Sequence, residues 1–568
     1  MRVVPDSLNS GHASEGLKPA RVSSVETSRS RSTDSATLKD MDDRFREAYR
    51  RGFAVAPVVG DGISAMSRQR QADLLAGHDP VVVLEASSTV LACIEARDRR
   101  ALTARLPRAD QVSLDRWYRE QRTMRSAPVP LAPLAALAAT TLALGQSAPA
   151  ERTDARREAV AGAITQVGLR LNEDVFVGGR DPAESLDLMA RTALWRAVEQ
   201  EDWLIWSGEL LAALADDPKA NEVTGKFLDE TGLTIREWFA RGLGERATRA
   251  RHGAGSWKNT DQVDPALETA WMSAVTTPVK DAETAARQSL ARAGSREPFV
   301  VVNPFDLSWL ASKPLVLTED GRRFLLWIGA LNRCLLPAGI AQTLADRTGV
   351  RFNTVSERLG RAGEQLLTAR VQAMPEFDAE RRTPEAAIPE GQSTCDYLIE
   401  RDEVLVGVEF TIASPSRALG EGGHEAVTKL VDRFADKIAQ AYAVFEWADP
   451  LRRKRWLPVL VLESPTVVDP LLNEEVHQRL VERGILDPGQ ASELMTCHVT
   501  DLLDLVQHCI DQGISLAQGV VAWRDSDLRG TALDWWVHDH GATRASGRLR
   551  IDAAFADVEA TLTRSEQR

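Results

Sequence analysis

A chain of 568 residues is too long for one ordinary hydrophobic core, so two or more domains are expected. With 43% hydrophobic and 27% charged residues and a mean hydropathy of −0.24, the composition is that of a soluble globular protein. The net charge of −13 excludes an overall cationic coat for nucleic acid, but not a local basic groove, because steering depends on the field where the ligand lands.

Residues 1–40 hold 12 serines or threonines and no aromatic residue, which predicts a disordered tail, and the N-terminus lacks the apolar stretch of a signal peptide. From 41 to 297 the pattern is mainly helical. Leu186, Met189, Ala193 and Ala197 fall at the 3–4 spacing of one apolar helix stripe. Trp195, Trp203, Trp206, Trp238, Trp257 and Trp271 concentrate in this region. Core packing weighs more than a ligand cage for them, because buried aromatic rings supply large apolar area. The Val-rich run Pro80–Ala86 reads as a short strand, with no second carboxylate downstream to make a site of Glu85. The Ala/Leu/Pro-rich stretch Pro128–Leu144 falls short of the ~20 residues a spanning helix needs and is interrupted by Pro130 and Pro133. It reads as a buried or linker-flanking helix, and the protein as one without a membrane partner. Arg249 to Asp264 is polar and contains glycine, as a loop or boundary would be. The five cysteines (Cys93, Cys334, Cys395, Cys497, Cys509) are scattered and without metal-ligand spacing, which predicts the reduced thiols of a cytoplasmic protein.

A different pattern begins near Pro298. Phe299–Val302, Leu315–Leu317 and Phe324–Ile328 read as strands, the last two joined by a hairpin turn at Glu319–Gly321. An amphipathic helix is predicted over Thr354–Ala373, followed by two apolar strands within Ser393–Ile399 and Leu405–Thr411, joined by a tight connection at Glu400–Glu403. A helix over His424–Trp447, a buried strand at Leu457–Leu462, a helix over Asn473–Arg483, a short strand at Thr496–Val499 and a helix over Asp501–Asp511 complete the series. The order α-β-β-α-β-α-β-α is that of a mixed sheet covered by helices, hence an α/β (α+β) fold class beside a mainly α N-terminal region. The expected layout is a tail (1–40), a helical region (41–297), a strand, hairpin and helix lead-in (298–350), a mixed-sheet domain (351–525) and a C-terminal extension (526–568).

The strands at 396–399 and 405–411 each carry one carboxylate, Asp396 and Glu409, in apolar surroundings. Burying a carboxylate costs free energy unless something pairs with it, and two on neighbouring strands repel each other. A divalent cation offsets both penalties. Alternation puts Leu405, Gly407, Glu409 and Thr411 on one strand face, and Asp396 on the face of Leu398. On the preceding helix, Glu364 lies at the edge of the apolar arc formed by Val355, Leu359, Leu366, Leu367 and Val371; a solvated glutamate and one reaching over the sheet margin weigh about equally. On the following helix, Lys437 borders the apolar side formed by Leu430, Phe434, Ile438, Ala441 and Phe445, whereas Lys429 sits in the polar arc. Arg452, Arg453, Lys454 and Arg455, followed by Trp456, are the strongest basic run, suited either to solubilising the lead-in to a strand or to binding phosphate, with Trp456 stacking on an unpaired base. His538-Asp539-His540 reads as a surface turn and Gly420–Gly423 as a flexible connection.

Between about Pro298 and Asp525 the chain resembles the PD-(D/E)XK nuclease superfamily, the restriction-endonuclease-like proteins. Glu364 stands at the helix position of that pattern, Asp396 at its aspartate, and Glu409-Phe410-Thr411 at its Glu-x-Lys motif. The resemblance implies a Mg²⁺ (or Mn²⁺) ion held by Asp396, Glu409 and the Phe410 carbonyl, with Glu364 as a further ligand or water-orienting group. It implies hydrolysis of nucleic acid, taken as DNA, with a role in defence against foreign DNA. Thr411 departs from the pattern where a lysine is expected, and a neutral hydroxyl cannot supply the charge. If a lysine of the following helix stands in for it, Lys437 is the first choice and Lys429 the second, although for any single lysine on such an amphipathic helix a solvated face weighs about twice as much. Without such compensation the chain would be a catalytically inactive module of the same fold, binding nucleic acid or a protein. A third reading makes the Trp-rich helical region the working part, through a protein or homo-oligomeric contact, with the C-terminal domain as its scaffold.

Overall fold

The computed structural model describes residues 66–95, 99–112, 138–145, 152–170, 202–252, 264–293, 309–310, 313–372, 381–382, 395–401, 403–411, 424–463, 470–489 and 492–526, with residues 533, 536, 537 and 540. Helices dominate the first half. After α1 (Arg68–Leu75), helix α2 (Pro80–Glu95) starts where the Asp79 carboxylate accepts hydrogen bonds from the main-chain N–H groups of Val81 (2.9 Å) and Val82 (3.2 Å). The strand expected at Pro80–Ala86 is therefore the first two turns of a helix. An apolar run bounded by a cap and a proline continues to Glu95, and apolar content alone does not separate a buried strand from a buried helix. Of the Pro128–Leu144 stretch, residues 138–143 are helical and buried.

Helices α3 (Asp154–Gly168), α4 (Asp202–Asp216), α5 (Asn221–Thr231), α6 (Ile235–His252), α7 (Pro265–Val275) and α8 (Val279–Ala293) follow. A reciprocal cap between Thr234 and Glu237 starts α6, and Asp264 caps α7 by accepting from the N–H of Ala266 at 2.8 Å. Arg249–His252, expected in a loop, is the end of α6. Trp206, Trp238 and Trp271 are buried, the last two in edge-to-face contact at 4.8 Å, which is the core role expected of them. The stripe Leu186–Ala197, Trp195, Trp257, the strand at Phe299–Val302, the tail and Gly420–Gly423 lie outside the described residues.

Two sheets are present among the described residues. In the smaller, β1 (Thr276–Pro278) runs parallel to β2 (Leu315–Leu317), which pairs antiparallel with β3 (Arg323–Leu325) through the expected hairpin, Gly321 taking φ +79°. The strand expected to reach Ile328 ends at Leu325, because α9 (Ile328–Leu335) begins there; α10 (Pro337–Thr348) follows. A core running from Leu204 to Ala362 joins α4 to α7 with the hairpin, α9 and α10. Within this region Arg241, Glu245, Glu268 and Arg323 form a buried, charge-balanced quartet. Arg241 pairs with Glu245 and Glu268 at 2.6 Å each, and Arg323 with Glu268 at 2.7 Å. Neutrality of the set and the directed guanidinium contacts are what make such burial tolerable.

The larger sheet has the order β4 (Arg381–Arg382), β5 (Tyr397–Arg401), β6 (Val404–Thr411), β7 (Arg455–Leu462), β8 (Met495–His498). The pairs β4–β5 and β5–β6 are antiparallel, and β6–β7 and β7–β8 parallel, a mixed sheet. Helices α12 (His424–Ala448) and α13 (Pro470–Glu482) cover one face, packing on Leu398, Leu405, Leu460 and Leu462. On the other, α14 (Val499–Gln512) and α15 (Leu516–Arg524) pack on Val406, Val408, Phe410, Val459 and Val461. Both crossovers use one face, as short parallel connections of one hand require. Helix α11 (Phe352–Gln372) belongs to both cores, with Val355, Leu359 and Ala362 in the first and Leu367 in the second. No helix among the described residues is long and apolar enough to cross a membrane. All five cysteines are unpaired.

Candidate active site

The β5–β6 register pairs Tyr397 with Val408, so one step further sets Asp396 opposite Glu409 at the mouth of the hairpin's strands. Directly opposed residues of an antiparallel pair share a face, and here it is the face covered by α12. Asp396 is fixed there by its Oδ2, which accepts a hydrogen bond from the Phe410 N–H at 2.6 Å. In an extended strand the N–H and C=O of one residue leave on the same side, so the Phe410 carbonyl also emerges toward β5.

Glu409 is fully buried. Its Oε2 lies 3.4 Å from Nζ of Lys437, whose side chain remains 32% exposed, and its Oε1 has no hydrogen-bond partner. Gly407 explains how α12 comes so close. A Cβ at this position would stand 2.7 Å from the Phe445 ring and 3.4 Å from Ala441, so only glycine admits the helix. Lys437 precedes Ala441 by one helical turn and is delivered to Glu409, two residues further along β6. Lys429 is exposed and lies two turns from Lys437, roughly 12 Å along the helix axis.

Glu364 is carried in from the other side of the sheet. Gly363 packs on Phe410, where a Cβ would meet the ring at 2.8 Å, and Glu364 follows it, exposed on α11. Its carboxyl is held above the ordinary range, first by partial desolvation and then by the charge of Asp396. Burial likewise raises Asp396, against the Phe410 N–H and Lys437. Glu409 is pushed up to about 8 by burial and then by Asp396, with Lys437 pulling the other way. The structure thus brings Asp396, Glu409 and Lys437 together, with the exposed Glu364 near enough to feel the charges of Asp396 and Lys437. Thr411 is buried one alternation beyond Glu409 and supplies no charge.

The donor set can be tested against a cation. Among the described residues no three His, Cys, Asp or Glu side chains are close enough to share an ion. A cation here would rest on Asp396, Glu409 and a main-chain oxygen, with water filling the remaining positions, a set that suits Mg²⁺. The partnerless Oε1 of a fully buried Glu409 is the feature that fits such an occupant, since an unmatched buried carboxylate oxygen is costly.

The basic run is placed elsewhere. Arg455 pairs in register with Val404, whereas Glu409 pairs with Leu460, five residues or roughly 16 Å along the sheet. Lys454 binds Glu400 at 2.7 Å, and Arg455 binds Asp525 at 2.8 Å and Glu493 at 3.0 Å. Arg452 lies over the Trp456 ring at 5.1 Å, and that ring packs on Phe445 and donates to Asp449, so it is not open to a base. Arg453 is exposed. Of His538-Asp539-His540 only His540 is described; it stacks on Trp536 at 4.2 Å.

Gly363 and Gly407 are the site residues that sequence reasoning passed over. Their signal was there: an isolated glycine inside a helix pattern and another inside a strand pattern mark close approach of a neighbour. Fold and site together define a mixed α/β protein with a carboxylate pair, Glu409 buried and Asp396 half-buried, faced by a lysine. Comparison of the chain with family models, curated proteins and solved structures finds no match in any of the three.

Proposed function

We propose that the chain is a metal-dependent nuclease of the PD-(D/E)XK type acting on DNA. The observation that carries the reading is the approach of Lys437 to Glu409 beside Asp396. It supplies from α12 the positive charge that Thr411 lacks on β6. Asp396 and Glu409, with the Phe410 carbonyl, would hold Mg²⁺ or Mn²⁺, and Glu364 would orient the ion's water from α11 rather than bind the ion itself. The cation supplies neutralisation of the phosphate charge and a lower pKa for the attacking water. Lys437 holds a fixed positive charge beside that site, where negative charge develops on the phosphorus oxygens. A role in defence against foreign DNA extends the reading by analogy of fold.

A second reading, an inactive module of the same fold that binds nucleic acid or protein, is favoured by Thr411 and by the engagement of Lys454 and Arg455 in ion pairs. Incubation of the purified protein with Mg²⁺ or Mn²⁺ and plasmid, linear and single-stranded DNA and RNA separates the two. Cleavage by the wild type that disappears in the Asp396→Ala/Glu409→Ala double variant supports the nuclease. Metal binding without cleavage of any substrate selects the inactive module.

A further inference from the structure

The core on the α14–α15 face of the large sheet contains, among its described residues, one from far upstream: Trp206 of α4. Its neighbours on that helix, Leu204, Leu210, Leu211 and Leu214, belong to the helical core instead. Trp206 is 1% exposed and meets Phe410 edge-on, ring centroids 6.4 Å apart at 67°. Gly363 also packs on Phe410, and Leu210 of α4 lies 3.8 Å from where a Gly363 Cβ would stand. The Phe410 ring is therefore seated against α4 and α11 together, while its main-chain N–H is the group that fixes Asp396 at 2.6 Å.

The Trp206 indole N–H has no hydrogen-bond partner although it is buried. An orphaned donor of this kind is costly, and phenylalanine would avoid the cost. The position therefore provides the volume and flat edge of the indole rather than a polar bond. We infer that Trp206 is a positioning residue: through the Phe410 ring it holds the main-chain N–H that anchors Asp396, so the helical region is a working part of the carboxylate site.

Two readouts on the full-length protein test this, site-resolved amide hydrogen exchange at Phe410 and equilibrium titration with Mn²⁺. Trp206→Leu, which keeps an apolar side chain but loses the ring edge, is expected to speed exchange of the Phe410 amide by about tenfold or more. It is also expected to weaken Mn²⁺ binding by about 10- to 100-fold, as loss of a group that orients a metal ligand does. Trp206→Phe, which retains an aromatic edge, restores both to near the wild-type values. A Phe410 amide unchanged in Trp206→Leu overturns the inference. So does faster exchange spread evenly over β6, β7 and α12, which is the mark of general destabilisation. Should Trp206→Leu not fold, Gly363→Ala drives a methyl into the same ring and is read by the same amide. The Mn²⁺ measurement rests on the proposed nuclease site, whereas the amide measurement does not. A wild type that fails to bind Mn²⁺ ends the nuclease reading and leaves the amide to decide the role of Trp206.

Discussion

Replacing Glu409 with glutamine is expected to stabilise the metal-free protein at neutral and alkaline pH, an unusual outcome for a substitution of a fully buried residue. Lys437 reaches one carboxylate oxygen at 3.4 Å and the other has no partner, so the ionised form is poorly compensated. Burial and the charge of Asp396 lift the Glu409 pKa from 4.5 to about 8. In the unfolded chain the group loses its proton near 4.5, whereas in the folded chain it keeps it to about 8. Between those values the folded state binds more protons, so stability falls as pH rises and levels off above about 8. At ~1.4 kcal/mol per pH unit the full loss is about 5 kcal/mol, of which about 3 is already incurred at pH 7. Glutamine preserves the volume and carries no charge, so this contribution to the slope vanishes. Any slope left in the variant belongs to groups such as Asp396, which burial also raises. Urea denaturation in the presence of a chelator, at pH 5, 7 and 8.5, measures the difference. The two proteins should be similar at pH 5, with the variant the more stable by a few kcal/mol at pH 8.5. Millimolar Mn²⁺ should then reverse the order, since only the wild type offers both carboxylates, Asp396 and Glu409, to the ion. Parallel stability curves for the two proteins from pH 5 to 8.5 would refute the reasoning.

Lys437→Met removes the charge that partly compensates Glu409. Cleavage, if present in the wild type, should fall by about 10²- to 10³-fold while Mn²⁺ still binds in a direct titration. Without metal, the loss of stability with rising pH should continue to a higher pH than in the wild type, because Glu409 loses the lysine that draws its pKa down. Gly407→Ala inserts a methyl at 2.7 Å from the Phe445 ring, which must lift α12 from the sheet. A loss of about 1–3 kcal/mol in urea denaturation is expected, with weaker Mn²⁺ binding as Lys437 and Glu409 separate. Glu268→Gln leaves Arg241 and Arg323 with too little negative charge in the buried quartet, at a cost of about 3–5 kcal/mol by the same assay.

Much of the large sheet could be read from the sequence because its strands obey one rule at a time. Leu457–Leu462 is an uninterrupted apolar run, and β5 and β6 are two such runs separated by a tight polar connection, so existence and order follow. Elements that pair too briefly to leave a pattern were out of reach. The two residues of β4 and the three of β1 owe their strand character to a neighbouring strand and not to their own composition. Pro80–Ala86 failed for the opposite reason, since a buried helix can be as apolar as a buried strand and the capping role of Asp79 outweighs the valines.

The site illustrates where a period-based reading stops. Alternation gives Glu409 the face of Leu405 and Asp396 the face of Leu398, and the helical wheel places Lys437 at the border of the apolar side of α12. Neither rule says which strand residue a given helix residue meets. That is fixed by the direction of the helix and its closest point of approach. A β-α-β crossover runs α12 antiparallel to β6. Gly407 pins Ala441 and Phe445 to one point of the strand. From that point, one helical turn back along α12 covers ~6 Å and two residues forward along β6 cover ~6.8 Å, nearly the same distance. Lys437 therefore arrives at Glu409, and the next turn, at Arg433 and Phe434, at Thr411. Any lysine on α12 other than Lys437 would miss Glu409 by at least a turn. The approach of Lys437 to Glu409 depends as much on the glycine in the strand as on the lysine in the helix.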